Sequence, residues 1–497
     1  MEFQAIILCG PGTELAPLVS PYMTKALLPI ANRPMLYYSL EWCHRAGISS
    51  AIVVSSSAAE QAISQYIKLE YNSTQKAGMK IEVVPVDGET AFIIRSLKDK
   101  IKHDFILLPC DFVTDLPPQT VVDMHRNQPV KTIGSGIWYK NTLDSIDKKT
   151  LKPNLTIHTP LGKPHPRLLD VYPRPKGSDP LTVRMSMLWE HPQATISTTV
   201  LEAFIYLFSR RVLDDDGDLS SSATLAAAAA TTTTTTAAAS ASPTATSTST
   251  SASTDQSSSA PTNPADLPKW KKSWTALVRD IARDSWRHRD SSSRGTVGFY
   301  VVPADYSFLR CKSVSAYFEA NRLVLKQTAY TPPPSTATAK GAVIGRDSLI
   351  GIGTEMDEKT NVKRSIVGAD CKFGRECRIT GCVIMDGVTV GNGVHLDNCI
   401  IANGVSVEDK VRLSGCTVEG RYIVSMGTQS KNEVLRGYSA EGLLDSDSDA
   451  IESYDSDEDS DEDEDESDDD GEINESELEQ SEGEGIEYDD DDFFDRG

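Results

Sequence analysis

Ser348, Ser365, Cys382, Cys399 and Cys416 recur at one constant spacing, and four further ladders keep step with them. They run Thr354, Cys371, Val388, Val405; Met356, Phe373, Val390, Val407; Thr360, Cys377, Val394, Val411; and Val362, Ile379, Leu396, Leu413. Within a coil the second apolar position follows the first by six residues, as Phe373 to Ile379 and Val390 to Leu396. Small or β-branched residues at that interval, with Gly, Asn or Asp between them, are the hexapeptide signature of a left-handed parallel β-helix, here over 336–425. Gly351, Gly368, Gly387 and Gly404 are expected at corners, where a positive φ suits glycine. The stacked cysteines need no metal, since metal ligands seldom recur at so wide and regular a spacing and small core positions explain them.

The N-terminal part has a different rhythm. "QAIILC" (4–9), "SAIVVS" (50–55), "KIEVVPV" (80–86) and "DFILLPC" (104–110) read as buried strands. Helical patterns lie between them at 34–46, with Leu36, Leu40 and Cys43 on one face, and at 57–70 and 89–101. Alternation of this kind predicts a parallel sheet with crossover helices, a Rossmann-like α/β domain over 1–330. Ligands of such sheets bind at the carboxyl ends of the strands, where Gly10, Gly12 and Asp111 fall.

Composition separates two further segments. Residues 214–268 collapse into Ala, Ser and Thr, which cannot bury enough apolar surface to offset their ordering entropy, so a disordered insert is expected. An amphipathic stripe then resumes with Trp270, Trp274, Leu277, Val278 and Ile281, followed by the strand "GFYVVP" (298–303), so the insert is read as interrupting one domain. Of the net charge of -23, Glu441–Gly497 supplies 30 acidic residues against one basic residue, Arg496. That leaves a mildly basic body, and 440–497 is expected to be a disordered, self-repelling tail. "SDED" recurs at 456–463, which makes Ser456 and Ser460 candidates for an acidophilic kinase. Nine cysteines at no disulfide-framework spacing, no secretory leader and no apolar run of about 20 residues give the expectation of a soluble cytosolic protein.

The string "GPGTELAPLVSPYMTKALLPIANRPML" (10–36), followed by hexapeptide coils, resembles the sugar-nucleotide pyrophosphorylases. That resemblance implies a glycine loop holding a nucleotide, an Arg and a Lys offsetting a triphosphate, and two carboxylates holding magnesium. This chain departs from it at several charged positions. Glu14 stands where the Arg is expected, and Val302 of "GFYVV" where the second carboxylate is expected. "GETA" (88–91) replaces the shorter "GTA", and Thr24 precedes the retained Lys25 where a proline is expected. A reversed charge about 4 Å from a phosphate is worth roughly 4 kcal/mol at an effective dielectric near 20, so attraction becomes repulsion. No catalytic residue, metal or cofactor is therefore assigned. Gly10, Gly12, Thr13, Lys25 and Asp111 are carried as a vestigial nucleotide-binding set.

A degenerate member of this layout resembles one family more closely, the gamma subunits of eukaryotic translation initiation factor 2B. The carrying stretches are "AIILCGPGTELAPLVSPYMTKALLPIANRPMLYYSLEW", "FILLPCDFVTDLPP", "SAYFEANR" (315–322) and "SIVGADCKFGRECRITGCVI". The resemblance implies a non-catalytic subunit that pairs with the epsilon subunit, joins the other subunits of the factor and helps dock initiation factor 2 as substrate. Neither nucleic acid nor membrane is an implied partner. Epsilon subunits add a helical exchange domain, and after Val424 this chain offers only "LRGYSAEGLL" before the acidic run.

Rival readings stay open: a sugar-nucleotide pyrophosphorylase or its non-catalytic regulatory counterpart, with residual nucleotide binding through Gly10, Gly12 and Lys25. A hexapeptide acyltransferase would need a histidine base. The only solenoid histidine, His395, alternates with the inward Val394 and Leu396 and so is expected on the surface. The acidic run could also mimic nucleic acid, although such runs are usually solvating.

Overall fold

The computed structural model describes residues 3–72, 78–141, 143, 146, 153–173, 183–214, 272–287, 295–328, 338–339 and 341–437. The expected insert after Asp214, the expected tail over 440–497 and Trp270 lie outside the described residues.

The four apolar runs of the N-terminal part become strands Gln4–Leu8, Ser50–Ser55, Lys80–Pro85 and Phe105–Pro109, all parallel. They make up one side of a ten-stranded sheet. Its order from one edge is 195–197, 155–158, 167–172, 296–301, 132–140, 200–208, 105–109, 4–8, 50–55 and 80–85. Beyond Phe105–Pro109 the pairing turns antiparallel, apart from the parallel contact between Thr296–Val301 and Thr132–Lys140. The sheet is therefore mixed. Val200–Phe208 and Thr296–Val301, on either side of 214–268, lie in it together.

Strand alternation divides the core between the two faces of the sheet. Ala5, Ile7, Val53, Ile106 and Leu108 point to one face, under helix Met35–Arg45 with its Leu36, Leu40 and Cys43. Ile6, Ile52, Phe105 and Leu107 point to the other face, against helix Trp274–Arg287, which inserts Trp274, Leu277, Val278 and Ala282. Ile281, expected on that stripe, is only partly buried.

From Thr338 the chain winds into three parallel six-stranded sheets. Consecutive rungs pair at the interval of the sequence ladders, as Phe373 with Val390 and Ile379 with Leu396. This is the left-handed β-helix, with Cys371, Cys377, Cys382, Cys399 and Cys416 buried in its core. Its corners show how each coil closes. Positive φ recurs at 353, 359, 364, 370, 376, 381, 387, 393, 398, 404, 410, 415, 421, 427 and 432, in steps of six, five and six. Gly387 and Gly404 occupy such corners, as expected, but Gly351 and Gly368 do not. Those two are glycines because the next coil passes too close: a Cβ on Gly351 would lie 2.4 Å from the Gly368 backbone, and one on Gly368 2.6 Å from the Asp386 amide nitrogen.

Met1–Gly437 forms a single unit, and helix Val314–Thr328 joins its two parts. Ala316, Tyr317, Ala320 and Val324 pack between Leu28, Ile30 and Met35 and the outward Ile366, Val383 and Ile400 of the β-helix. Asn321, fully buried within "SAYFEANR", accepts the Ala31 amide through Oδ1 at 2.9 Å. It thereby fixes the left-handed Ala31–Asn32 turn, and Asn32 Nδ2 donates to the Val367 carbonyl at 2.7 Å. Arg322 completes the joint with a bond to Asn398 Oδ1 at 2.9 Å.

Candidate functional site

The glycine loop leaves the sheet where Cys9 donates its amide to the Val54 carbonyl at 2.8 Å. Gly10 is exposed, with open space where a Cβ would project. Gly12 takes φ 76°, and a Cβ there would come within 2.9 Å of the Lys25 side chain. Thr13–Leu15 is one 3-10 turn that buries Leu15 and leaves Thr13 and Glu14 exposed. A second short turn, Lys25–Leu27, carries Lys25 back under the loop.

Asp111 follows strand Phe105–Pro109 and is buried. Its Oδ2 accepts from Lys25 Nζ at 2.5 Å, and its Oδ1 from Arg310 Nε at 2.5 Å. Arg310 belongs to strand Phe308–Arg310, which pairs antiparallel with Phe112–Thr114, and its guanidinium also reaches the Ala203 carbonyl at 3.3 Å. Burial by itself would raise the Asp111 carboxyl, but the Arg310 guanidinium and the Lys25 ammonium outweigh it and hold it well below the usual carboxylate range. Burial likewise acts to lower Lys25 and Arg310, and Asp111 reverses this so that both are raised. One carboxylate thus neutralises part of the charge of two cations, with both of its oxygens engaged.

Of the five residues carried from the sequence, Gly12, Lys25 and Asp111 come together. Thr13 and Gly10 stay on the exposed loop. Val302 is buried in the same apolar cluster as Cys110 and Phe112. The position expected for a second carboxylate therefore does lie on the Asp111 side of the sheet, but as hydrocarbon. Among the described residues no group of three or more His, Cys, Asp and Glu side chains is placed to hold a metal. In "GETA", Thr90 opens helix Thr90–Ser96, and its Oγ1 accepts the Trp274 amide at 2.6 Å, capping a second helix. His395 is exposed, as its alternation predicts. Arg310 escapes a reading of the sequence: it lies 199 residues from Asp111, and no local spacing marks it.

A phosphate-type loop over a mixed α/β sheet, with a β-helix beyond it, defines a nucleotidyltransferase-like protein carrying a left-handed β-helix. Residues 4–144 match the family model for nucleotidyl transferases, and residues 326–430 match that for the EIF2B subunit epsilon LbH domain. The particular proteins this chain resembles are the gamma subunits of translation initiation factor eIF2B. It is 32% identical to the one from Schizosaccharomyces pombe over 218 residues, covering 43% of this chain and 47% of that relative. The Dictyostelium discoideum gamma subunit is 26% identical over 231 residues, 43% of this chain and 51% of the relative. A mannose-1-phosphate guanyltransferase from Candida albicans is 27% identical over 124 residues, 24% of this chain and 33% of the relative. The chain spans about half the length of the curated gamma relatives it matches.

Proposed function

We propose that this chain is a non-catalytic, gamma-type subunit of a cytosolic guanine-nucleotide exchange complex, pairing with an epsilon subunit to promote GDP release from initiation factor 2. The observation that carries the reading is the engagement of Asp111 by Lys25 and Arg310. The carboxylate that would hold a divalent cation and the cation that would meet a triphosphate are spent on each other. Glu14 on the exposed loop and Val302 in the core add to this. The similarity to gamma subunits supplies the choice of complex. Gly10, Gly12 and Thr13 are then a vestige of a nucleotide loop whose remaining role is to seat Lys25 over Asp111.

The β-helix is the natural platform for assembly, because the described residues leave two of its three outer faces open while the third is covered by helix Val314–Thr328 and its core is closed. The test is the rate of labelled GDP release from initiation factor 2 with this chain, with epsilon, and with both. The chain alone is expected to be silent, and the pair faster than epsilon at saturation. Strong catalysis by the isolated chain, or no gain over epsilon, would overturn the reading. A gain through shifted equilibrium, as opposed to added docking surface, requires unequal binding to the GDP-bound and nucleotide-free forms. The Candida guanyltransferase similarity favours a second reading, sugar-nucleotide synthesis, and pyrophosphate release from a nucleoside triphosphate and a sugar phosphate decides it.

A further inference from the structure

One outer face of the β-helix gathers exposed cations with a single acid among them. On the neighbouring face Glu355 stands in register with Lys372, and at the adjoining corner Lys359 Nζ meets Glu376 Oε1 at 3.0 Å across a rung. On the face built from strands Asn361–Lys363, Arg378–Thr380, His395–Asp397, Arg412–Ser414 and Gln429–Lys431, Arg378 stands directly beside His395, and His395 beside Arg412. Arg364 and Lys431 flank this stack, and all five side chains are exposed. None of Arg364, Arg378, Arg412 and Lys431 has an ion pair among the described residues. The one acid, Asp397, lies in the parallel ladder between Thr380 and Ser414.

Rungs lie about 4.8 Å apart, so the Arg378 and Arg412 positions on one ladder stand about 10 Å apart. The same residues line a groove of about 690 Å³. Arg378 and Arg412 are two rungs apart, each with a planar fork that takes a carboxylate through two parallel hydrogen bonds. Hydroxyls of Thr380 and Ser414 supply donors beside them. We infer that this face is a docking surface for an acidic polypeptide segment of a partner protein, whose carboxylates supply the counter-charges that the solenoid itself withholds. The chemistry is that of acidic-motif recognition by an arginine cluster.

The experiment uses the full chain and a fluorescent peptide in which glutamate alternates with serine, followed by anisotropy at physiological ionic strength. Saturable binding is expected, weakened at least about tenfold in the double variant Arg378→Glu/Arg412→Glu. The double variant Lys326→Glu/Lys372→Glu, with the same net change elsewhere, is expected to leave it unaltered. Melting of the Arg378→Glu/Arg412→Glu chain is expected close to wild type, because both side chains are exposed and have no ion pair among the described residues. Equal loss in both variants, or tighter binding of single-stranded polyuridine that also depends on Arg378 and Arg412, would overturn the proposal, the first for a general charge effect and the second for RNA. Protection of residues 441–497 from amide exchange, abolished by Arg378→Glu/Arg412→Glu, would overturn it in favour of this chain's own acidic segment as occupant. Absence of both binding and protection would overturn it outright.

Discussion

Replacing Asp111 by asparagine keeps the shape of the side chain and removes the anion that two buried cations share. Lys25 and Arg310 retain only 11% and 8% of their side-chain exposure, so water cannot take over the lost charge. Removing one partner of a buried ion pair costs about 3–5 kcal/mol, and the amide oxygen keeps one acceptor, which points to the lower end, about 3 kcal/mol. At about 2–4 °C per kcal/mol for a domain of this size, the melting temperature should fall by about 6–12 °C at neutral pH. Lys25→Met should cost less, because Arg310 still holds the carboxylate. The pH dependence has a defined sign. The folded pKa of Asp111 is depressed below the unfolded value of about 3.9, so its contribution is complete above that pH and is lost only as pH falls further, through the folded value. Wild type and Asp111→Asn should therefore converge in acid and differ most near neutrality. Calorimetry with and without magnesium checks the reasoning. If Asp111→Asn melted at or above wild type, and magnesium raised the melting temperature of wild type alone, the carboxylate would be poised for a metal ion and the clamp would be refuted.

Pyrophosphate release from any nucleoside triphosphate and sugar phosphate should not exceed a heat-killed control, and Glu14→Arg should not restore it, because Val302 leaves the metal site one carboxylate short. Asn321→Ala should cost about 2–3 kcal/mol by stranding the buried Ala31 amide, measured by urea unfolding; a loss below half of that would mean that the joint does not depend on this bond. Deleting 220–261 should change stability by about 1 kcal/mol or less, as loop-closure entropy varies slowly with length, and a fall of several degrees in melting temperature would contradict the expectation of a disordered insert.

The legible and illegible parts of the fold differ in how local their causes are. Three of the four parallel strands are nearly continuous apolar runs, while Lys80–Pro85, expected to be buried, is a half-exposed edge strand carrying Lys80 and Glu82. Each coil of the solenoid repeats its own spacing, so these elements can be read from neighbours in sequence. The antiparallel half cannot. Thr132–Lys140 reads "TIGSGIWYK", interrupted by the weak strand formers Gly134, Ser135 and Gly136. Gly134 lies beneath the Phe208 ring, where a Cβ would come within 2.2 Å, and Gly136 beneath Trp138 and Tyr206. Besides the nearby Trp138, those glycines answer to Tyr206 and Phe208 of Val200–Phe208, far along the chain. Arg310 is hidden for the same reason, since its partner Asp111 belongs to another strand. Gly351 and Gly368 are required as glycines, but for a cause other than the expected one: φ does not demand them, and the approach of the next coil does. Loop residues Gly12 and Lys25 are legible as a motif, but that the lysine is turned inward onto Asp111 is not.

The position of Thr296–Val301 in the sheet has a consequence for synthesis on the ribosome. Among the described residues this strand is the sole link between Arg167–Tyr172, with its two outer neighbours, and Thr132–Lys140. It emerges only after the whole of 209–295 has followed Val200–Phe208. At about 5–20 residues per second that interval is about 4–17 s, long compared with the microseconds in which a hairpin forms. Throughout it the nascent chain holds two partial sheets with facing, unpaired edges, a species open to wrong pairing with another copy of itself. The β-helix, whose rungs each need only the preceding coil, faces no such wait. A slow codon stretch or a bound chaperone would therefore matter most between residues 209 and 301, and least once the solenoid begins to emerge.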